Sequence, residues 1–90
     1  MNASVYLSVY QRGRALHIVK QSPSKNEPVK QQIPGGYCVI IDEIIQNEFG
    51  TWGVINDITI SQFNITIPKP VYICIVLGKS EVLFKKIYGK

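Results

Sequence analysis

The first residues of the chain alternate between aliphatic and other side chains. Between Ser4 and Tyr10 the odd positions are Val or Leu, whereas Tyr6 and Tyr10 lie among the even ones. Because successive side chains of a strand point to opposite faces, this pattern predicts a half-buried strand with both tyrosines facing outward. Gly13 then separates it from a second extended segment, 15–20, and the two segments predict a β-hairpin.

The next segment, from Gln21 to Gly36, contains three prolines and ends in a glycine pair. Proline cannot donate a backbone N–H to a ladder, so we expect a long exposed loop here. The continuous apolar run from Tyr37 to Ile41 then predicts a buried strand.

The residues after this run fit two structures. Asp42 can cap a helix whose apolar face includes Ile44, Ile45 and Phe49, with Gly50 at its end. We favour this one short helix over 42–49, and the alternative is that the strand continues.

Further alternation follows the single tryptophan. Ile58 and Ile60 predict one strand, and the positions 63, 65 and 67 continue it one step out of phase. A one-residue slip sends side chains to the opposite face, so a bulge or sheet corner is expected at Ser61 and Gln62.

The last third of the chain predicts two strands joined by a turn. Val71 to Leu77 is apolar on both faces, residues 78–81 form a turn, and Val82 to Tyr88 makes the final strand. The prediction is therefore one mainly β domain over 1–90, a small barrel or two-layer sandwich of about six or seven short strands.

A strand that is apolar on both sides needs a second cover besides the core. That cover is a helix, a loop or a second copy of the chain. Taking the third choice, we expect a homo-oligomer whose interface includes Val71, Ile73 and Ile75.

Composition narrows the class of protein. No stretch reaches the roughly 18 to 20 apolar residues that span a bilayer, and the N-terminus lacks the pattern of a secretion signal. We expect an intracellular, cytoplasmic protein without membrane association, and secretion is the alternative. Cys38 and Cys74 each lie in an apolar run, which favours two buried reduced thiols over one disulfide.

Motifs for catalysis or cofactors are missing from the sequence. The string Gly78-Lys79-Ser80 resembles the end of a phosphate-binding loop, but Ile73 occupies the position of its first glycine and no helix is expected after it. His17 is the only histidine, and two cysteines with one histidine cannot supply four zinc ligands. We therefore expect a protein that is not an enzyme and has no cofactor or metal.

The distribution of charge is the most informative feature. Residues 1–30 and residues 68–90 each contain five cations and one acid, so each flank carries +4, whereas 31–67 carries four acids and no cation. If the terminal strands pair, these two flanks merge into one basic face.

Two functions are therefore predicted. The first is single-stranded nucleic-acid binding, in which outward tyrosines stack on bases and cations contact phosphates. The predicted binding residues are Tyr6, Tyr10, Arg12, Arg14, Lys20, Lys25, Lys30, Lys85 and Lys86. The alternative is a protein-interaction or self-assembling module, such as a virus- or phage-encoded inhibitor, effector or structural subunit, in which opposite charges of flanks and middle favour association.

Overall fold

The computed structural model describes residues 3–8, 16–24 and 26–89, with the side chains of 16–18 left out of the description. It contains eight strands and one short helix. The strands are β1 (Ser4–Ser8), β2 (Leu16–Lys20), β3 (Gln31–Pro34), β4 (Cys38–Asn47), β5 (Gly50–Ile55), β6 (Tyr72–Leu77), β7 (Glu81–Val82) and β8 (Phe84–Tyr88). The helix, α1, spans Asp57–Gln62. The prediction of a small, mainly β domain is confirmed.

All strands belong to one antiparallel sheet. Its order is β3-β2-β6-β5-β4-β1-β8, and β7 pairs with β6 outside this path. Val76 pairs with β5 and with β7, so these two strands lie on opposite sides of β6. In a flat sheet, β7 and β8 would then lie five strand spacings, about 24 Å, apart. Only Leu83 separates them in the chain. The sheet must therefore curl until β8 comes close to β7 beside β6, as the strands of a barrel do.

The curled sheet encloses a core rich in branched aliphatic side chains. Its buried members are Tyr6, Val19, Ile33, Val39, Ile41, Ile55, Ile65, Val71, Ile73, Ile75, Leu83 and Phe84. The alternating residues 63, 65 and 67, which the sequence predicts as a strand, lie outside the strands of the structure. Ile65 is nevertheless buried, and the other two residues pack against this core.

The predicted hairpin of the first two strands is wrong. β1 pairs with β4 and β8, whereas β2 pairs with β3 and β6. The predicted loop over 21–36 is correct only in part, because β3 lies within it. Pro34 is tolerated there since β3 is the terminal strand of the sheet path.

The predicted helix over 42–49 is also wrong, because 42–47 form the second half of β4 and 48–49 belong to the turn before β5. A bulge between Ile41 and Glu43 inserts Asp42 into the ladder with β5. The extra residue breaks the period of two, which is why the apolar positions imitate a helical face.

The helix lies instead where the sequence predicts a strand. Asn56 caps it, since its side-chain oxygen accepts a hydrogen bond from the Ile58 N–H at 2.8 Å. Thr59 is fully buried, and its Oγ1 accepts from the backbone N–H of Ile40 at 2.8 Å. This contact with β4 stabilises helical geometry in a run of β-branched residues that would otherwise favour a strand.

The strand at Val71–Leu77 and the turn after it are confirmed, with β6 ending at Leu77 and β7 starting at Glu81. The predicted burial of the cysteines is wrong for Cys38, which is exposed. Cys74 is half-buried, and no disulfide joins the two. β4 begins at Cys38, and the buried residues in its first half alternate from Val39 onward. Cys38 therefore lies on the opposite, exposed face.

Candidate nucleic-acid interface

The two ends of the described chain lie side by side in the sheet. β1 and β8 are antiparallel neighbours, with Tyr6 opposite Lys86 and Leu7 opposite Lys85. The basic C-terminal flank therefore lies next to the strand that leads into the basic N-terminal flank, and the pairing that the charge argument requires is confirmed.

The outer face of this strand pair carries an exposed cation, Lys85, and apolar side chains. Lys85 is exposed and shares its face with Leu7, whose exposed fraction is 39%. Lys86 is exposed as well, although its partner Tyr6 points inward. Both lysines are therefore accessible to an anionic ligand.

One aromatic residue at this surface, Tyr88, is not among the binding residues predicted from the sequence. Tyr88 is 74% exposed and lies opposite Val5. Counting alternately from the buried Phe84 would place residue 88 on the inner face. A register shift between Val5 and Tyr6 leaves Ile87 without a partner in the ladder and turns Tyr88 to the outer face. The only sequence signal was that a tyrosine lies close to a pair of lysines.

The predicted outward position of Tyr6 is wrong. Its exposed fraction is 9% and it belongs to the core, whereas Leu7 on the other face is exposed. The small side chains of Ser4 and Ser8, which are also buried, leave room for one bulky ring on the inner face. Burial raises the pKa of the Tyr6 phenol above its ordinary value of 10.0. This ring cannot stack on a base while the domain is folded.

Lys20, also predicted to bind phosphate, is 7% exposed. Its ammonium donates to the backbone oxygen of Ser24 at 3.2 Å and lies 6.0 Å from the centre of the Trp52 ring, within cation–π range. The side chain of Lys20 therefore covers Trp52 and is not a free surface cation.

The remaining predicted binding residues divide into two groups. Lys30 is exposed beside β3, at the opposite end of the strand order from β8. Four residues lie outside the described part of the chain: Tyr10, Arg12, Arg14 and Lys25. Of the nine predicted residues, the structure thus places Lys85 and Lys86 on one accessible strand, where as consecutive residues they start from opposite faces.

The predicted oligomer interface is wrong as well, because Val71, Ile73 and Ile75 are 0–3% exposed and form part of the core. They cannot contact another molecule, because Ile73 and Ile75 occupy the inner face of β6, which the curled sheet encloses, and Val71, directly before β6, is buried with them.

The outer face of the same strands has a cover from the chain itself. Trp52, paired with Cys74 on β6, is 2% exposed. The loop after β2 lies over it, since Asn47 on β4 donates a 2.6 Å hydrogen bond from its amide to the backbone oxygen of Pro23. A loop, one of the three covers the sequence allowed, therefore closes this side.

A second surface feature lies near α1. Two open depressions, of about 590 and 400 Å³, meet at the ion pair of Lys69 with Asp57, 2.8 Å long. Asp42, in the wall of the smaller depression, accepts a 2.6 Å hydrogen bond from Asn56. All three charged side chains are exposed, so water screens them and reduces what each can contribute to binding a charged ligand.

Within the described residues, no group of three or more His, Cys, Asp or Glu side chains is arranged to hold a metal ion. The same part of the chain contains no helix with the length and apolar character needed to span a membrane. Comparison with known proteins adds no assignment: no family model matches the chain, and neither curated proteins nor solved structures show significant similarity to it.

Proposed function

We propose that the chain is a non-enzymatic binding module for single-stranded nucleic acid, and that its binding surface is the β1–β8 strand pair. The observation that carries this proposal is the register that sets Lys85 opposite Leu7 and Lys86 opposite Tyr6. It places β8, a strand of the basic 68–90 flank, beside β1, a strand of the 1–30 flank, and each flank carries +4 in the sequence.

Charge is what a nucleic-acid ligand would recognise first. Cations that neutralise phosphates release condensed counterions, which supplies affinity without sequence preference. Lys85 and Lys86 are exposed on a strand, so their backbones are held in place while their ammonium groups remain free to contact phosphates. Arg12 and Arg14 follow β1 in the sequence and belong to the binding residues that the sequence predicts.

The alternative, a self-assembling module, has less support. Its predicted interface lies in the core, and β8, the terminal strand of the path, carries two exposed lysines. Lysines on a terminal strand oppose edge-to-edge pairing between chains. If preventing edge-to-edge pairing were the only role of Lys85 and Lys86, replacing them would weaken oligonucleotide binding no more than replacing other exposed lysines. Comparing the affinities of such variants therefore separates the two roles.

The test is fluorescence anisotropy with a labelled oligothymidine of 12 nucleotides, measured between 25 and 300 mM NaCl. For single strands the slope of log affinity against log salt is about −0.7 per phosphate contact. The double variant Lys85→Gln/Lys86→Gln should bind more weakly and have a slope about 1.4 units shallower than that of the original protein.

The matched control is Lys69→Gln/Lys79→Gln, which removes the same charge from exposed positions elsewhere. It should retain most of the affinity and the slope. Equal losses in both double variants would reduce the effect to net charge alone. Undetectable oligonucleotide binding at 25 mM NaCl by the original protein would refute the proposal.

A further inference from the structure

We infer that Tyr88 is the base-stacking residue of this interface, and that the bulge at Ile87 is the feature that makes it so. This inference rests on the proposed function and adds which group of the nucleotide the surface recognises. The ligand is a strand with unpaired bases, because a ring stacks only on a base whose face is free.

The geometry of the ladder supports the assignment. Without the bulge, Ile87 would lie opposite Val5. The side chain of Tyr88 would then point inward, as that of Phe84 does. With it, Tyr88 lies opposite Val5, as Lys85 lies opposite Leu7. Directly paired residues share a face, so the ring and the ammonium lie on one side of the sheet.

The spacing of these two groups also suits a nucleotide chain. Val5 and Leu7 are two positions apart on β1, so their partners Tyr88 and Lys85 are about 7 Å apart along the strand. Adjacent phosphates in an extended single strand are separated by a similar distance. A base can therefore lie on Tyr88 while a neighbouring phosphate contacts Lys85.

The exposure of the ring is the second observation. At 74%, Tyr88 is the most exposed of the large hydrophobic residues that the structure describes, and Tyr37, at 52%, packs edge-on against Phe63 with ring centres 5.7 Å apart. Tyr88 can thus accept a stacked base without first leaving a packed position.

The experiment compares two ligands of equal charge: oligothymidine and an abasic oligomer of the same length, which keeps the phosphates and lacks the bases. Tyr88→Ala should weaken oligothymidine binding about 5- to 150-fold, the range for loss of one stacked base. Its affinity for the abasic oligomer should stay within about twofold of the original. Tyr88→Phe retains the ring and should restore oligothymidine binding.

The possible failures can be told apart. If the original protein binds neither oligomer, the proposed function is refuted. If it binds both and Tyr88→Ala leaves oligothymidine affinity unchanged, or weakens both ligands equally, the stacking role is overturned while the basic interface stands. Circular dichroism of each variant checks that the fold is retained, as the exposure of Tyr88 leads us to expect.

Discussion

The contact between α1 and β4 gives the sharpest test of the fold, because one side chain holds it. Thr59 is fully buried and its Oγ1 accepts from the Ile40 N–H at 2.8 Å, while the Ile40 carbonyl accepts from the Asn56 N–H at 2.9 Å. Thr59→Val keeps the shape and removes the acceptor. The Ile40 N–H then loses its partner.

Leaving a buried donor unsatisfied costs about 1 to 3 kcal/mol. We expect a loss near the middle of this range, about 2 kcal/mol, which in a domain of 60 to 100 residues lowers Tm by roughly 8 to 16 °C. Thr59→Ser is the matched control, since it keeps the hydroxyl and removes one methyl group, a loss of about 0.8 kcal/mol before any cavity cost.

The assay is urea unfolding followed by the fluorescence of Trp52, the only tryptophan in the chain and 2% exposed in the folded state. The midpoint should fall in Thr59→Val with an unchanged m-value. Hydrogen exchange at the Ile40 amide provides the local readout: its protection should drop in Thr59→Val and persist in Thr59→Ser. A Thr59→Val protein within 0.5 kcal/mol of the original, with the Ile40 amide still protected, would refute the reasoning.

Two further predictions concern the core. Gly53→Ala should destabilise the domain by about 1 to 3 kcal/mol through overpacking, because a Cβ there would lie 2.8 Å from Cγ2 of Ile41 and 2.9 Å from Cδ1 of Ile75; in urea unfolding, adding Ile75→Val should recover part of the loss, and purely additive effects would contradict the predicted clash. The second prediction concerns Tyr6, whose pKa in the folded state is raised by burial. As the pH rises, the unfolded state therefore loses the phenolic proton first. The stability that Tyr6 contributes is intact below about pH 10 and declines as the pH rises above it. Tyr6→Phe should remove that component from the urea-unfolding profile above pH 10, whereas Tyr88→Phe, at an exposed ring, should leave it in place.

Local chemistry explains which parts of the fold were predictable. Gly78, with a φ of +63°, occupies a turn conformation that favours glycine, and the apolar run before it could only be a strand with two covered faces. Both features depend on a few neighbouring residues. The pairing partners of β1 and β2 depend instead on the path of the whole chain, and no local pattern specifies them.

The errors at Asp42 and α1 have one physical cause, which is that a single residue or contact outweighs periodicity. At Asp42 one inserted residue hides the alternation of a strand. At α1 a capping amide from Asn56 and a buried hydroxyl from Thr59 stabilise a helix in residues of high strand propensity. Tertiary context decides both cases, and it is not readable from a window of ten residues.

The candidate interface combines a correct and an incorrect prediction for related reasons. Charge segregation is a property of the chain, so the two basic flanks could be read from the sequence, and the pairing of β1 with β8 is observed. Of the first flank's described cations, Lys20 is buried against Trp52 and Lys30 lies beside β3. Which ring faces outward depends on the phase of each strand. Tyr6 lies inward between two small serines, and Tyr88 lies outward because of one bulge, so the exposed aromatic residue is at the other end of the chain from the predicted one.

This phase also determines which substitutions can separate function from stability. β8 has two roles, since it pairs with β1 to extend the sheet and carries the lysines of the proposed interface. Phe84 is 2% exposed and opposite the buried Ser8, so a change there removes packing and would weaken any function that needs the folded sheet. Lys85 and Tyr88 leave that packing intact because they lie on the outer face. A loss of binding at these outer positions, with the unfolding midpoint unchanged, therefore reports on the ligand and not on the sheet.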